Sequence, residues 1–540
     1  MKVSFKILLI TALLYSCQSD FLEENLDNVL VSNNYYSTVE EAESAVIGLY
    51  SQLARDGLYG LYLSMCSDLG TDVAYFTQRT NTIYTYANYL ITTSTGNLIA
   101  TWRQAYSVIH ASNLLIEKLP EKATFSQERQ NELLAEARFI RALTYFVLVR
   151  IYGDIPLIEK PQNLSDNLQV SRAPVAEVYE FILEDLNFAK EHMKWLSEMP
   201  QSGGRVSKNA VLGVLTRVYS TMAGHPLQDT SKWEMAASTA KELIDTNFHD
   251  LLPNYSQIFL NLRDDVYDFT ESIWEIAYTE GDLGHRIGSF NGIRSTSGPN
   301  GEPGSEVGGG SGFVKSTVNL RKKYGENGEG YDPGITDFRY HWNCIPYQLD
   351  GTGKPRLNSD GTVKLSNEFL LVSYRKEMSF GAYTANETGV NALTLRYADV
   401  LLMYAEAENE LNGIQRNPLA NDILKQIRQR AFRSFSDSGA VTQFEDVEIE
   451  GINYNYDYSS LSQVDFRNFL RDERARELPG EGVRRWDLLR WNLLYPFVKS
   501  LEGREPRGTA WENIQPHHVL FPIPQREIDI NPLLTQNEGY

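Results

Sequence analysis

The stretch 131-NELLAEARFIRALTYFVLVRIYGDIPL-157 decides the architecture. Leu133, Ala137, Ile140, Leu143 and Val147 recur every three or four residues, with Thr144 beside Leu143, and Gly153 with Pro156 ends the run. That spacing is one apolar face of a helix with a stop signal behind it. The same period predicts helices over 40–57, 102–119, 173–193, 208–224 and 232–247, and again over 391–412, 417–433 and 464–477. A single helix pair of this length cannot bury its face alone, so neighbouring pairs must stack in a tetratricopeptide-like array. The reading is a mostly α fold, with helix pairs over 40–270 and further helices and a tail over 391–540.

The texture changes over 271–390, which is rich in Gly, Asn, Ser and aromatics. Its clearest loop is 298-GPNGEPGSEVGGGSG-312, and 367-NEFLLVSYRKEM-378 predicts a strand. Loops this long in a compact protein are functional or disordered. Because helices resume afterwards, the expectation is a loop-rich, partly β ligand-binding region packed on the array.

The chain has 540 residues and a formal charge of −20. This sign argues against nucleic acid or an anionic membrane surface as a general partner, since both need a basic face. Residues 1–16, MKVSFKILLITALLYS, pair basic Lys2 and Lys6 with an apolar run too short to span a bilayer, which marks an export signal. Ser16 directly before Cys17 is the pattern of a bacterial lipoprotein signal, in which Cys17 becomes the acylated (palmitoylated) first residue and 17–39 the tether. Only Cys66 and Cys344 then remain, so there is no disulfide framework, although one bridge between them is allowed.

Acids cluster in 396-RYADVLLMYAEAENELNG-413. On a helix Tyr397, Val400, Leu401, Tyr404 and Leu411 form a stripe that includes Glu408, whereas Glu406 and Glu410 lie opposite, beside Asp399. Three acids so placed do not converge as a catalytic set. Glu406 or Glu408 is expected to pair with an arginine of 471-RDERARELPGEGVRRW-486, because buried charges need partners. The eight histidines form no HExxH pair, no phosphate-cradling GxxxxGK[ST] occurs, and Phe313 stands where a nucleophile elbow needs glycine. No catalytic residue, metal or cofactor is therefore assigned.

Binding chemistry is better represented. In 71-TDVAYFTQRTNTIYTYANY-89, Asp72, Arg79, Asn81 and Asn88 alternate with Tyr75, Phe76, Tyr84, Tyr86 and Tyr89. Flat rings cover the C–H faces of a sugar while Asp, Asn and Arg bond its hydroxyls, and the same mixture suits a peptide. A second wall is expected from Tyr278, His285, Tyr331, Arg339, Tyr340 and Trp342, with Trp342 as the stacking platform. The alternative for each is a structural role, as core filler or loop anchor.

Six segments together carry a resemblance: the Cys17 lipobox, 136-EARFIRALTYFVLVRIYGDIPLI-158, 205-RVSKNAVLGVLTRVY-219, 396-RYADVLLMYAEAENELNG-413, 473-ERARELPGEGVRRWDLLRW-491 and 521-FPIPQREIDINPLLTQNEGY-540. In this order the chain resembles the SusD/RagB family of Bacteroidetes surface lipoproteins, whose acidic export tag is similar to Asp20, Glu23 and Glu24. The resemblance implies four tetratricopeptide-like helix pairs and a non-catalytic protein that captures oligosaccharide at the outer membrane. It further implies a partner, a SusC-like TonB-dependent transporter, and places Arg79 and its aromatic neighbours at the ligand site. Peptide capture is the alternative within the family; a surface glycan hydrolase, needing two carboxylates ~5–9.5 Å apart, is the one outside it.

Overall fold

The computed structural model describes residues 36–63, 67–79, 81–162, 169–200, 203–279, 284–285, 293, 312–350, 354–372, 389–432, 456–505 and 510–540. The leader, Cys17, Cys66 and the 298–312 loop lie almost wholly outside them. The long helices are α1 (Val39–Leu53), α2 (Gly96–Lys122), α3 (Gln127–Tyr152), α4 (Val175–His192), α5 (Lys208–Ala223), α6 (Lys232–Ile244), α7 (Tyr397–Asn412), α8 (Pro418–Ala431) and α9 (Gln463–Glu477). Their ends follow local chemistry. Thr38 and Glu41 form a capping box on α1, Ser126 caps α3, and Gly153 and Gly413 leave α3 and α7 at positive φ.

Consecutive helices pack as pairs, α2 on α3, α3 on α4 and α5 on α6, and the series closes when α7 packs on α6, α8 and α9. The fold is mostly helical with tetratricopeptide-like pairs. One core runs through it, from Leu49 in α1 through Phe139 and Leu143 in α3 to Leu402, Ile427 and Phe521. Helix α3 is buried almost all round, well beyond the single stripe that its periodicity shows. Close packing also fixes Gly213: a Cβ there would lie 2.2 Å from Leu395 Cδ2.

Apart from a two-residue pair, Ile155–Pro156 with Arg172–Ala173, the strands among the described residues are β1 (Ala74–Phe76), β2 (Ser272–Ile276), β3 (Val314–Ser316), β4 (Cys344–Tyr347), β5 (Leu365–Leu371) and β6 (Ala392–Arg396). They make a four-stranded sheet of order β1-β3-β5-β4 and a β2-β6 pair, all antiparallel. The sequence reading takes 391–412 as helix throughout; its first residues are strand β6, paired with β2. Within 71–89, read from the sequence as a ligand-binding stretch, β1 joins the sheet in the register Ala74↔Ser316, Tyr75↔Lys315, Phe76↔Val314. The irregular region is thus stitched to the array.

His249 ties β2 to α5. It is 5% exposed, accepts from Asn209 at 2.9 Å and donates through Nδ1 to the Phe269 carbonyl at 2.8 Å, which fixes the neutral ring. Burial lowers its pKa from 6.5 to about 4. A base depressed in the fold contributes stability that is complete above pH 6.5 and is lost as pH falls towards 4. Between pH 6.5 and 4.5 this one residue is expected to account for roughly 2–3 kcal/mol of acid destabilisation. Urea titrations should therefore show a flatter acid limb in His249→Asn than in the parent chain, and equal slopes would count against this assignment.

Candidate functional site

The acids of 396–413 are scaffold. Glu406 receives both terminal nitrogens of buried Arg490 at 2.6 Å and Nε1 of the half-buried Trp491 at 2.6 Å. Asp399 lies between Arg217 and Arg474 at 2.6 and 2.8 Å, and these guanidiniums, against its burial, hold its carboxyl far below the usual range. Glu410 takes Arg467 at 2.6 Å. Two corrections follow: the partner of Glu406 is Arg490, just past 471–486, and it is Glu406 that is buried, whereas Glu408 is half-exposed and Leu411 is 41% exposed. Asp399 and Glu406, buried and already engaged by arginines, are out of a substrate's reach as general acids or bases.

Most expected binding residues prove to be core. Trp342 is 0% exposed, with its indole stacked on Phe259 at 6.2 Å and tilted against Phe338, so it is no ligand platform. Its short helix, Phe338–Asn343, starts at the Asp337 cap and turns one side into the core. Arg339, also fully buried, is bonded to Asp337, Glu473 and Glu477. Asp72 takes Arg484 at 2.7 Å on both oxygens. Tyr75 packs edge-on to Trp511 at 5.8 Å, Phe76 to Phe313 at 5.9 Å and Tyr86 to Phe521 at 4.7 Å, each ring buried. Tyr340, His285, Asn88 and Tyr89 are buried as well. Cys344 is a free buried thiol whose pKa burial pushes up to about 12.

Four of the expected residues keep accessible side chains. Arg79 is exposed at the end of β1; Asn81 caps the following short helix by accepting from Ile83 N at 2.9 Å; Tyr84 is half-buried. Tyr331 is half-buried on Tyr340, rings 6.0 Å apart and nearly parallel. In the sheet, β1 from the first expected wall and β4, which follows directly on the second, stand at opposite edges, with β3 and β5 between them.

A cleft of about 640 Å³ opens elsewhere, between the end of α1, the 203–205 turn and the end of β2. Its floor is glycine: a Cβ on Gly203 would lie 1.5 Å from Tyr267 Cε1, so the Tyr267 ring lies directly on that backbone. Tyr278 forms a second wall, anchored by its hydroxyl to the Ala54 carbonyl at 3.0 Å and by its N–H to Asn391 at 3.0 Å. Arg205 is held by Glu136 through bonds of 2.7 and 2.5 Å, and Tyr50 donates to the same carboxylate at 2.6 Å. Arg55, Asp56 and Asp265 also line the cleft, exposed, with no side-chain hydrogen bond among the described residues. The cleft therefore offers one half-exposed aromatic face beside three unengaged polar tips. Of its residues the sequence reading names only Tyr278; Gly203-Gly204 is the signal that could have found it.

Residues 270–540 match the sequence model of the SusD family, half of the chain. The chain belongs to the SusD family. Residues 20–220 match a second model of the same group, described as starch-binding associating with outer membrane. The SusD-like protein P25 of Formosa agariphila is 27% identical over 587 residues, covering 99% of each chain. A SusD homologue from Bacteroides thetaiotaomicron superposes with a TM-score of 0.81 at 29% identity, over 94% of this chain and 98% of that one. Surface glycan-binding protein A from Bacteroides fluxus shares the fold, with a TM-score of 0.70 at 20% identity over 93% and 100%.

Proposed function

We propose that this SusD-family chain is a non-catalytic lipoprotein, anchored at the outer-membrane surface through Cys17, that captures oligosaccharide and passes it to a SusC-like TonB-dependent transporter. The observation that carries the reading is the cleft in which Tyr267 lies flat on Gly203 beside Arg55, Asp56 and Asp265. An aromatic face with polar groups at its rim matches the two surfaces of a pyranose, an apolar C–H face and a hydroxyl edge. Arg79, Asn81, Tyr84 and Tyr331 remain as a second contact region. The family description as starch-binding, and the name of the B. fluxus protein, support carbohydrate over peptide. Affinity need not be high, because a protein docked on its transporter gains from effective concentration.

The test incubates lipid-free protein with a panel of oligosaccharides and peptides and follows both binding and cleavage. Saturable glycan binding without cleavage is expected. Tyr267→Ala should weaken it at least ~10-fold, about 1.4 kcal/mol, with no change in thermal midpoint beyond that of a surface variant. Peptide binding alone, or any hydrolysis, overturns the reading.

A further inference from the structure

A second cleft, of about 450 Å³, lies where the last turn of α3 meets the short helix Arg484–Arg490 and the C-terminal tail. The turn at Gly224 clamps it: a Cβ there would lie 2.3 Å from the Arg490 carbonyl oxygen, which accepts from His225 N at 2.8 Å. In its wall is Arg150. Its guanidinium lies over the rings of Phe146, at 3.8 Å, and Trp486, at 4.4 Å, and Nε donates to the Phe146 carbonyl at 2.9 Å.

Arg217, Arg474 and Arg490 line an adjoining internal cavity with Arg150, and each of these three is paired with Asp399, Asp487 or Glu406. Arg150 has no carboxylate within 4 Å among the described residues, and its terminal nitrogens have no protein acceptor there. Burial pulls its pKa down to about 10, so it stays charged at neutral pH with its desolvation uncompensated. Tyr179 lines the same cleft, 2% exposed, its hydroxyl without a hydrogen-bond partner among the described residues. The two acids of the cleft, Asp154 and Glu538, are exposed at the rim, and Asp154 Oδ1 is engaged by Val175 N at 2.9 Å.

We propose that this cleft is a second binding site, selective for a sugar-sized ligand bearing an oxyanion, carboxylate or sulfate, which docks on the in-plane fork of Arg150 and the Tyr179 hydroxyl. Two rings lie against the guanidinium and Nε is bonded to the Phe146 carbonyl, so the two terminal nitrogens are what a ligand can engage, and such a pair of donors takes an oxyanion bidentately. A cleft of this volume is in the range of small-molecule sites. The site is independent of the Tyr267 cleft and does not rest on the reading given there.

The test titrates the full chain calorimetrically with glucuronate, glucose 6-sulfate, inorganic sulfate and glucose. The three anions are expected to bind saturably and to compete, and glucose is not. Arg150→Gln should weaken the anions at least ~10-fold, Arg150→Lys less, and Tyr179→Phe by ~2–5-fold, as expected for a charge-assisted fork and one hydroxyl. Oligosaccharide binding at the Tyr267 cleft should stay as in the parent. Should Arg150→Gln fail to fold in a thermal melt, Arg150→Lys and Tyr179→Phe decide the matter. The proposal falls if the parent binds no anion, if glucose competes equally, or if the folded variants bind as the parent does.

Discussion

Replacing Arg396 by alanine will lower the free energy of unfolding by about 3–5 kcal/mol. Arg396 is 1% exposed at the junction of β6 and α7. Its three nitrogens reach Glu481 at 2.7 and 2.8 Å, Glu271 at 2.8 Å, Glu477 at 2.7 Å and the Glu477 carbonyl at 2.7 Å. Glu271 and Glu477 retain Arg430, and Glu477 retains Arg339, so what is stranded is Glu481. Burial already raises the Glu481 pKa to about 7 even with Arg396 beside it.

The pH dependence follows from that direction. A carboxyl whose folded pKa is raised contributes stability that is present below the unfolded value and lost as pH rises through the folded one. Removing Arg396 raises it further, so the cost of Arg396→Ala should be greater at pH 8 than at pH 5.5. Chemical denaturation at both pH values checks this. Adding Glu481→Gln to Arg396→Ala should recover part of the loss, since it removes the uncompensated charge. Equal losses at the two pH values, or no recovery, would falsify the assignment. Arg396→Lys keeps the charge without the fork and should fall between parent and alanine.

Networks of this kind mark the boundary of what the sequence makes legible. The helices are readable because a 3.6-residue period is local: each of α1 to α9 falls on its expected span, although α2 begins six residues before it and α7 six residues inside it. The same local logic misassigns α7. It sets Glu408 in the apolar stripe and Glu406 outside, on the premise that one face stays wet. Helix α7 instead packs on α6, α8 and α9 at once, and Arg490, 84 residues further on, neutralises Glu406 inside. Nothing in the period of α7 carries that information.

The cleft proposed for binding is less legible for a related reason. Its floor, aromatic wall and polar rim come from three separate segments, around Arg55, Gly203 and Tyr267. The segments that looked functional, 71–89 and 331–344, mix aromatic and charged residues because they are core strands and a core helix whose charges are satisfied at long range, Asp72 by Arg484 and Arg339 by Glu473. Alternation of ring and charge in a short stretch signals a sugar site only if the charges lack partners. Arg55, Asp56 and Asp265 meet that condition; Asp72 and Arg339 do not.

Trp342→Ala puts this distinction to a direct test. The indole is wholly buried among Phe259, Phe338 and the rest of the sheet-side core, so its deletion removes transfer energy and leaves a large cavity. A loss of about 3–5 kcal/mol is expected, with Trp342→Phe costing less because the ring contact with Phe259 is kept in part. Under conditions where the variant remains folded, its oligosaccharide affinity should match the parent, since no atom of Trp342 reaches the surface. Tyr267→Ala should show the opposite pattern, weak binding with near-parental stability. Unfolding curves and binding isotherms on both variants give four numbers that must cross in this way. A Trp342→Ala chain that stays stable yet binds poorly would return the indole to the ligand and displace the Tyr267 cleft as the site.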